Sequence, residues 1–388
     1  MRFLLLCGTA LMLAGPALAD PFGFQVTIDG RTDSRSYRSA EDTLDALKSN
    51  GLRQINPNYT DTSAANANIQ FRGVPALASY AAGSSVLRFA VPGAGIDREF
   101  AGATRDESAE LLRRYFEGRE GGAEITRILR LAVRTTAADP IAGNPASAMN
   151  QAVARDFDAI LGAGGPSNAA SLGVRFGSFS GAGFRTRTLD LPIGLSWSLS
   201  DRDTLEVDAP LSMADTEGAT SYGGNIGVRY RRRVTDNWTL QPSLRVGGAG
   251  SVDLGSGSGI YSAALNSSYR IKVNPEWGLN IVNGLTYVST FPVHVGAYQL
   301  DYDLSNVVFR NGVAVSYDAG IQVMGRATTI SVFAVDTRFT GDAVYISNYQ
   351  EFGIYATVGT TAPLRLGLTG LVGEHGARGF YINTGLSF

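Results

Sequence analysis

Charged residues stand at every second position in several apolar stretches of this chain, and any chemistry must be sought first at that spacing. Asp190 interrupts LDLPIGLSWSL, Glu206 and Asp208 alternate in TLEVDAP, and Arg229, Arg231 and Arg233 alternate in VRYRRR. Arg245, Arg270 and Lys272 follow in later segments. On an extended backbone residues i and i+2 share a face, so these groups project to one side and Leu189, Leu191, Ile193, Leu195 and Trp197 to the other. Acids on adjacent strands opposite a basic ladder allow two readings. They set a transverse field across a water-filled lumen, which orients and selects solutes, or they form a salt-bridged interior that fills and stiffens a narrow barrel.

Other chemistry finds little support. The two histidines, His294 and His375, fall in separate long loops, and no GxSxG or comparable motif supplies a Ser–His pair. DYDLSN at 301–306 spaces its oxygens like a calcium loop but lacks the required Gly and distal Glu. The runs GAGID and GGAGSVD do not fit the dinucleotide pattern. Arg127, Arg130 and Arg134 share a helix face and read as a solvated surface. No catalytic residue, metal or cofactor is expected.

The elements that position the charges come next. From about Ser171 the chain falls into segments of about ten residues, alternately apolar and polar, separated by turn residues, the pattern of a transmembrane β-barrel. YSAALNSSYRIKV and VVFRNGVAVSYDAGIQV keep the alternation over their whole length. Short connections such as SDRD, TDNW, NPEW, GRAT and TTAP alternate with longer ones, ADTEGATS, AGSVDLGSGSG, the 291–303 stretch, TGDAVYISN and GEHGA. Twelve strands fit, an even number as antiparallel closure requires. Trp197, Trp238 and Trp277, the three tryptophans of the chain, all lie near short turns, as aromatic residues do at a membrane interface.

Composition agrees with export and with β structure. MRFLLLCGTALMLAGPALAD has one cation, a short apolar run and an Ala-x-Ala site, so residues 1–19 read as a cleaved signal peptide. Cys7 is the only cysteine, which leaves the mature chain without disulfides or thiolate sites. Removing Arg2 leaves 32 basic residues against 35 acidic, and nothing there suggests nucleic acid. Gly (47), Tyr (16) and Phe (18) are plentiful, and beyond the signal no segment is apolar for long enough to form a spanning helix.

Residues 20–142 follow another grammar and read as a small α+β domain. FQVTI and the Asp29-Gly30 turn start a hairpin, Ser39 caps a short helix ending before Gly51, and Thr104 with Glu107 forms a capping box. Residues 143–170 read as a linker helix with Asn144 as cap and Pro145 in first position. Its stripe of Met149, Val153, Phe157, Ile160 and Leu161 suits packing on the N-terminal domain or threading of a pore, with packing preferred.

The last ten residues, GFYINTGLSF, place Phe380, Ile382, Leu386 and the terminal Phe388 on one face. This resembles the C-terminal signature of outer-membrane barrels, and a helix before a twelve-stranded barrel resembles autotransporter-like translocators and solitary barrels. The resemblance implies a mainly β protein, with a C-terminal 12-stranded antiparallel transmembrane barrel at 171–388 after the α+β domain. It implies a bacterial outer-membrane location, contact with outer-membrane lipid and recognition by the barrel assembly machinery. A non-enzymatic anchor that displays or retains its N-terminal domain is the first functional expectation. A porin-like channel with a charged lumen is the second. The β-helical passenger, protease triad and lipase motif of many such proteins are missing.

Overall fold

A computed structural model of the chain describes residues 21–118, 122–162, 168–295, 298–323 and 325–388. The expected signal segment lies outside them. The N-terminal part is a six-stranded antiparallel sheet in the order β2-β1-β3-β4-β5-β6. Its strands are β1 (Phe22–Ile28), β2 (Arg31–Tyr37), β3 (Ala65–Phe71), β4 (Val74–Tyr80), β5 (Leu87–Val91) and β6 (Ile96–Phe100). Strict alternation drives it: Phe22, Phe24, Val26 and Ile28 are buried with Ala65, Ala67 and Ile69, whereas Gln25, Asn66 and Asn68 face water. Helices α3 (Arg105–Phe116) and α4 (Gly122–Thr135) cover the apolar face. The capping box holds, since Thr104 Oγ1 accepts from the Glu107 amide at 3.2 Å and Glu107 reaches back to the Ala103 amide at 2.7 Å.

One boundary differs from expectation. Ser39 caps α1 (Ala40–Asp45), but Gly51 does not end a helix; it lies inside a second one, α2 (Ser49–Ile55). A Cβ on Gly51 would sit 2.6 Å from Ala46 Cα. The glycine therefore permits close packing of two helical turns and is not a stop signal.

The C-terminal part is a closed antiparallel barrel of twelve strands. The first six are Ala169–Gly181, Phe184–Leu191 continued by Ile193–Ser198, Asp203–Asp208 continued by Leu211–Thr216, Ala219–Arg233, Trp238–Ser251 and Ser256–Lys272. Then come Trp277–Phe291, Ser305–Val323, Arg326–Gly341, Asn348–Val358, Leu364–Gly373 and Arg378–Ser387. Pro192 and Ala209-Pro210 interrupt the second and third strands, because proline gives the ladder no donor. Closure comes from the last strand against the first, with Tyr381 opposite Gly177 and Leu386 opposite Leu172.

Connections after the even-numbered strands are short, as expected. The opposite end departs from the sequence reading. ADTEGATS is a two-residue turn, with Glu217 and Gly218 both at positive φ (50° and 91°) and strands running to Thr216 and from Ala219. AGSVDLGSGSG is mostly strand, with only 252–255 between paired Ser251 and Ser256. These strands extend to meet the N-terminal domain, where the Ala40 amide donates to the Asp253 carbonyl at 2.8 Å. The longest connection there, 292–304, carries its own small hairpin, Val293–Val295 with Tyr298–Leu300.

Among the described residues, every exposed large apolar side chain except Leu77 lies between Leu172 and Phe388. They form the outer belt of the barrel, an area far beyond the patches a water-soluble monomer leaves uncovered and the face that lipid covers in outer-membrane barrels. Leu244, midway along the fifth strand and 66% exposed, belongs to that belt. Leu244→Arg should lower stability by about 2–4 kcal/mol in urea unfolding from phospholipid vesicles. A change within about 0.5 kcal/mol would mean that this face meets water.

Candidate functional site

Helix α5 (Ala148–Leu161) is buried on nearly every side, its polar Asn150 and Asp156 included. A helix buried all round must be enclosed by other elements, and the barrel encloses it. Residues 139–147 form a buried turn in which Asn144 Oδ1 accepts from the Ala146 amide at 2.8 Å while its Nδ2 donates to the Ala137 and Asp139 carbonyls. Asn144 is thus spent on that turn, and Ser147, not Asn144, stands at the N-cap of α5. The helix enters from the end that carries the N-terminal domain. Its last turn reaches the short-turn end, where Arg365 donates to the Gly162 carbonyl and Asn280 Nδ2 donates to the Leu161 carbonyl at 3.1 Å. The preferred expectation, packing on the N-terminal domain, holds for the first half of the stripe, where Met149 and Val153 join the core of that domain, and is corrected for the second half, which faces the inner wall. Phe157, Ile160 and Leu161 pack on Val282, Ala314 and Val335. Two wall glycines make room for the ring, since a Cβ on Gly284 would approach Phe157 to 2.8 Å and one on Gly312 to 3.1 Å.

Charge fixes the helix as firmly as packing. Asp156 accepts from Arg245 Nη2 at 2.6 Å, Arg229 Nη1 at 3.3 Å and Ser243 Oγ at 2.9 Å. Gln241 Nε2 donates to the Asp156 carbonyl at 2.8 Å. Asp208 accepts from Arg229 at 2.9 Å and from Arg245 at 2.9 and 3.0 Å, and Glu206 pairs with Arg229 and Arg231. Farther round, Arg310 joins Asp158 (3.3 Å) to Glu351 (2.7 Å) and lies over the Phe157 ring. Such buried guanidinium–carboxylate groups hold only as complete sets, because a lone buried charge is costly.

Of the residues singled out from sequence, Glu206, Asp208, Arg229, Arg231 and Arg245 come together in this cluster. Glu206 and Arg229 are direct cross-strand neighbours, so they neutralise each other and do not face across an open lumen. Asp190 is buried on the same side, 3.7 Å from Arg155 of the helix. Arg270 and Lys272 stand on the inward rank at the short-turn mouth, exposed, and Arg233 donates to the Asp201 carbonyl at the turn. Trp197, Trp238 and Trp277 are exposed on the outer face near that end, with the Trp277 ring 4.6 Å from that of Tyr317 and tilted by 34°. Phe380, Ile382, Leu386 and Phe388 all point outward. Sequence reasoning missed Arg155, Asp156, Asp158, Arg175, Arg310, Glu351 and Arg365. Inward parity in their strands marks the last four, and three charges within four residues of an otherwise uncharged helix mark the first three.

At the other end the N-terminal domain sits on the barrel as a cap. DYDLSN is part of this seat and not a cation loop. Tyr302 is buried and donates to Asp139 Oδ2 at 2.9 Å, and Arg72 reaches both at 2.8 and 3.2 Å. Burial and the Asp139 charge hold the Tyr302 hydroxyl well above its usual range, so it stays a donor. Arg130 is not a solvated helix residue either; it pairs with Asp303 and Asp342 of two barrel loops. Tyr298, Leu300, Leu304, Val344 and Ile346 of those loops join the same apolar core as the sheet of the cap.

No protein-family model and no curated protein matches the sequence. Solved structures with a similar backbone are outer-membrane barrels. The β domain of the Bordetella autotransporter BrkA matches 57% of this chain and 99% of its own, at 12% identity and a TM-score of 0.46. The translocator domain of the autotransporter NalP from Neisseria meningitidis matches 61% and 95%, at 12% identity and a TM-score of 0.47. The NanC porin matches 56% and 98%, at 14% identity and a TM-score of 0.35.

The lumen cluster separates two of the charges by energy. Arg245→Ala leaves Asp156 and Asp208 with Arg229 alone and should cost about 3–5 kcal/mol. Lys272→Ala, at the exposed mouth, should stay within about 0.5 kcal/mol. Denaturant unfolding of both variants in the same detergent checks the difference.

Proposed function

We infer that this is a non-enzymatic outer-membrane barrel that anchors its N-terminal domain on the outer side of the membrane, with the lumen closed by α5. One observation carries the reading: the path of the chain. The domain sits at the end opposite the short turns, α5 runs down the lumen, and the first strand begins at the short-turn end. In outer-membrane barrels the longer connections face outward, and the connections 292–304 and 342–347 at the domain's end support a domain outside. The core shared between cap and loops supports permanent attachment over release. The outward apolar belt supports outer-membrane lipid as the surrounding partner, and the outward Phe380, Ile382 and Leu386 of the strand that closes the barrel support delivery by the barrel assembly machinery.

A channel for small solutes is the second reading, and one feature favours it. α5 packs against the fourth to eighth strands and leaves a gap against the first, second, eleventh and twelfth. The cap and the buried Phe179, Tyr349 and Tyr381 close the far end of the barrel, which argues for a blind pocket.

Leu77 is exposed on the outer sheet face of the cap, and the only native cysteine is Cys7. In intact cells a membrane-impermeant maleimide should label the Leu77→Cys variant as fully as in permeabilised cells, with the unsubstituted chain as blank. Labelling only after permeabilisation would put the cap in the periplasm and end the display reading. Planar bilayers holding the full chain should show no steady conductance, whereas a conductance altered by Arg231→Ser would favour the channel.

A further inference from the structure

The gap beside α5 has a chemistry of its own. It holds about 340 Å3 beside the last turns of the helix, within the range of small-molecule pockets, is open on one side and has the outward Leu172, Ile193 and Leu386 on its lining as well as inward residues. A smaller cavity of about 110 Å3 adjoins it and shares Arg175, Arg365 and Asn383. The carboxylates on this lining are already taken. Asp158 meets Arg310 at 3.3 Å, Glu206 meets Arg231 at 2.9 Å and Asp208 meets Arg229 at 2.9 Å.

Three guanidinium groups on the same lining make no hydrogen bond to a carboxylate, although Asp190 is the direct cross-strand neighbour of Arg175 and lies 3.7 Å from Arg155. The Arg155 side chain is only 12% exposed, approaches Asp190 no closer than 3.7 Å and has a buried Nε without a partner. Arg175 lies 3.9 Å from Asp158, too far for a hydrogen bond, and rests on the Tyr381 ring at 3.9 Å. Arg365 lies over the Tyr355 ring at 4.9 Å and gives Nη2 to the Gly162 carbonyl. A guanidinium stacked on an aromatic face keeps its in-plane N–H groups free. Those forks match a planar or tetrahedral oxyanion, which accepts two hydrogen bonds from each. Asn383 lies on both linings.

We propose that this pocket is a binding site for a small soluble oxyanion, a phosphate or carboxylate compound that enters from the short-turn mouth, where Arg270 and Lys272 add positive charge. The site rests on the fold alone and not on the outward display of the cap, so maleimide labelling of the cap and anion binding fail independently.

The test is titration calorimetry on the full chain in detergent and low-chloride buffer, with inorganic phosphate and acetate as separate probes. One saturable site per chain is expected for at least one of them, and the probe that saturates tells phosphate from carboxylate recognition. An Arg155→Gln, Arg175→Gln double variant should weaken it at least tenfold, about 1.4 kcal/mol. Asn383→Asp, which places a carboxylate in the pocket and leaves every arginine in place, should abolish it. Lys48→Ala, on the cap, should keep the site. Retention of the folded band in unheated electrophoresis identifies variants with an intact barrel, and Asn383→Asp decides the matter if the double variant loses it. No saturable binding by either probe, or binding unchanged in Asn383→Asp, overturns the site.

Discussion

The Asp156 carboxylate, set between Arg229 and Arg245 inside the barrel, is the contact on which the rest of the molecule depends. A twelve-stranded barrel is too wide for its own inward side chains to fill, and an unfilled polar lumen leaves its arginines competing only with water. α5 brings the missing volume through Phe157, Ile160 and Leu161 and the missing charge through Asp156 and Asp158. Asp156 faces two guanidinium groups and Asp158 meets Arg310, and paired in this way buried charge is tolerated. Helix and wall therefore specify each other.

The same constraint shapes the two ends. Where the helix enters, the loops that would be free ends of hairpins instead complete the core of the cap. Tyr302 and Arg72 close around Asp139, and Leu300 and Leu304 sit among the side chains of the sheet. Where the helix ends, Arg365 and Asn280 satisfy its last carbonyls. The polypeptide thus crosses the barrel once as a helix before it builds the wall around itself. The cap, the plug and the wall are one cooperative structure, and the asymmetric gap is the part of the lumen that the helix does not reach.

Much of this was legible in the sequence. Period-two alternation from Leu172 to Phe388 reports a one-residue-per-face geometry that lipid on one side enforces, so the strands, their even number and the outward rank of Trp197, Trp238 and Trp277 could be read directly. Inward charges such as Arg229 and Arg245 were legible for the same reason. What they bind was not. An amphipathic stripe like Met149–Val153–Phe157 states that a helix packs on something apolar but not on what, and Asp156 belongs to no strand pattern. Turn lengths failed at Glu217-Gly218 and at 252–255, because glycine-rich, acidic stretches look like loops when a neighbouring domain in fact extends the ladder through them. Gly51 misled in the opposite sense, as a close contact that resembled a terminus.

The position of α5 can be read by a single cross-link. Asp156 on the helix and Ser243 on the fifth strand meet at 2.9 Å through their side chains, and the mature chain offers no competing thiol if Cys7 leaves with its segment. Paired cysteines at these two positions should oxidise to one intramolecular disulfide in the folded, detergent-held chain, seen as a mobility shift that reductant reverses. Thiols that stay free in a folded barrel would contradict a helix held inside the lumen.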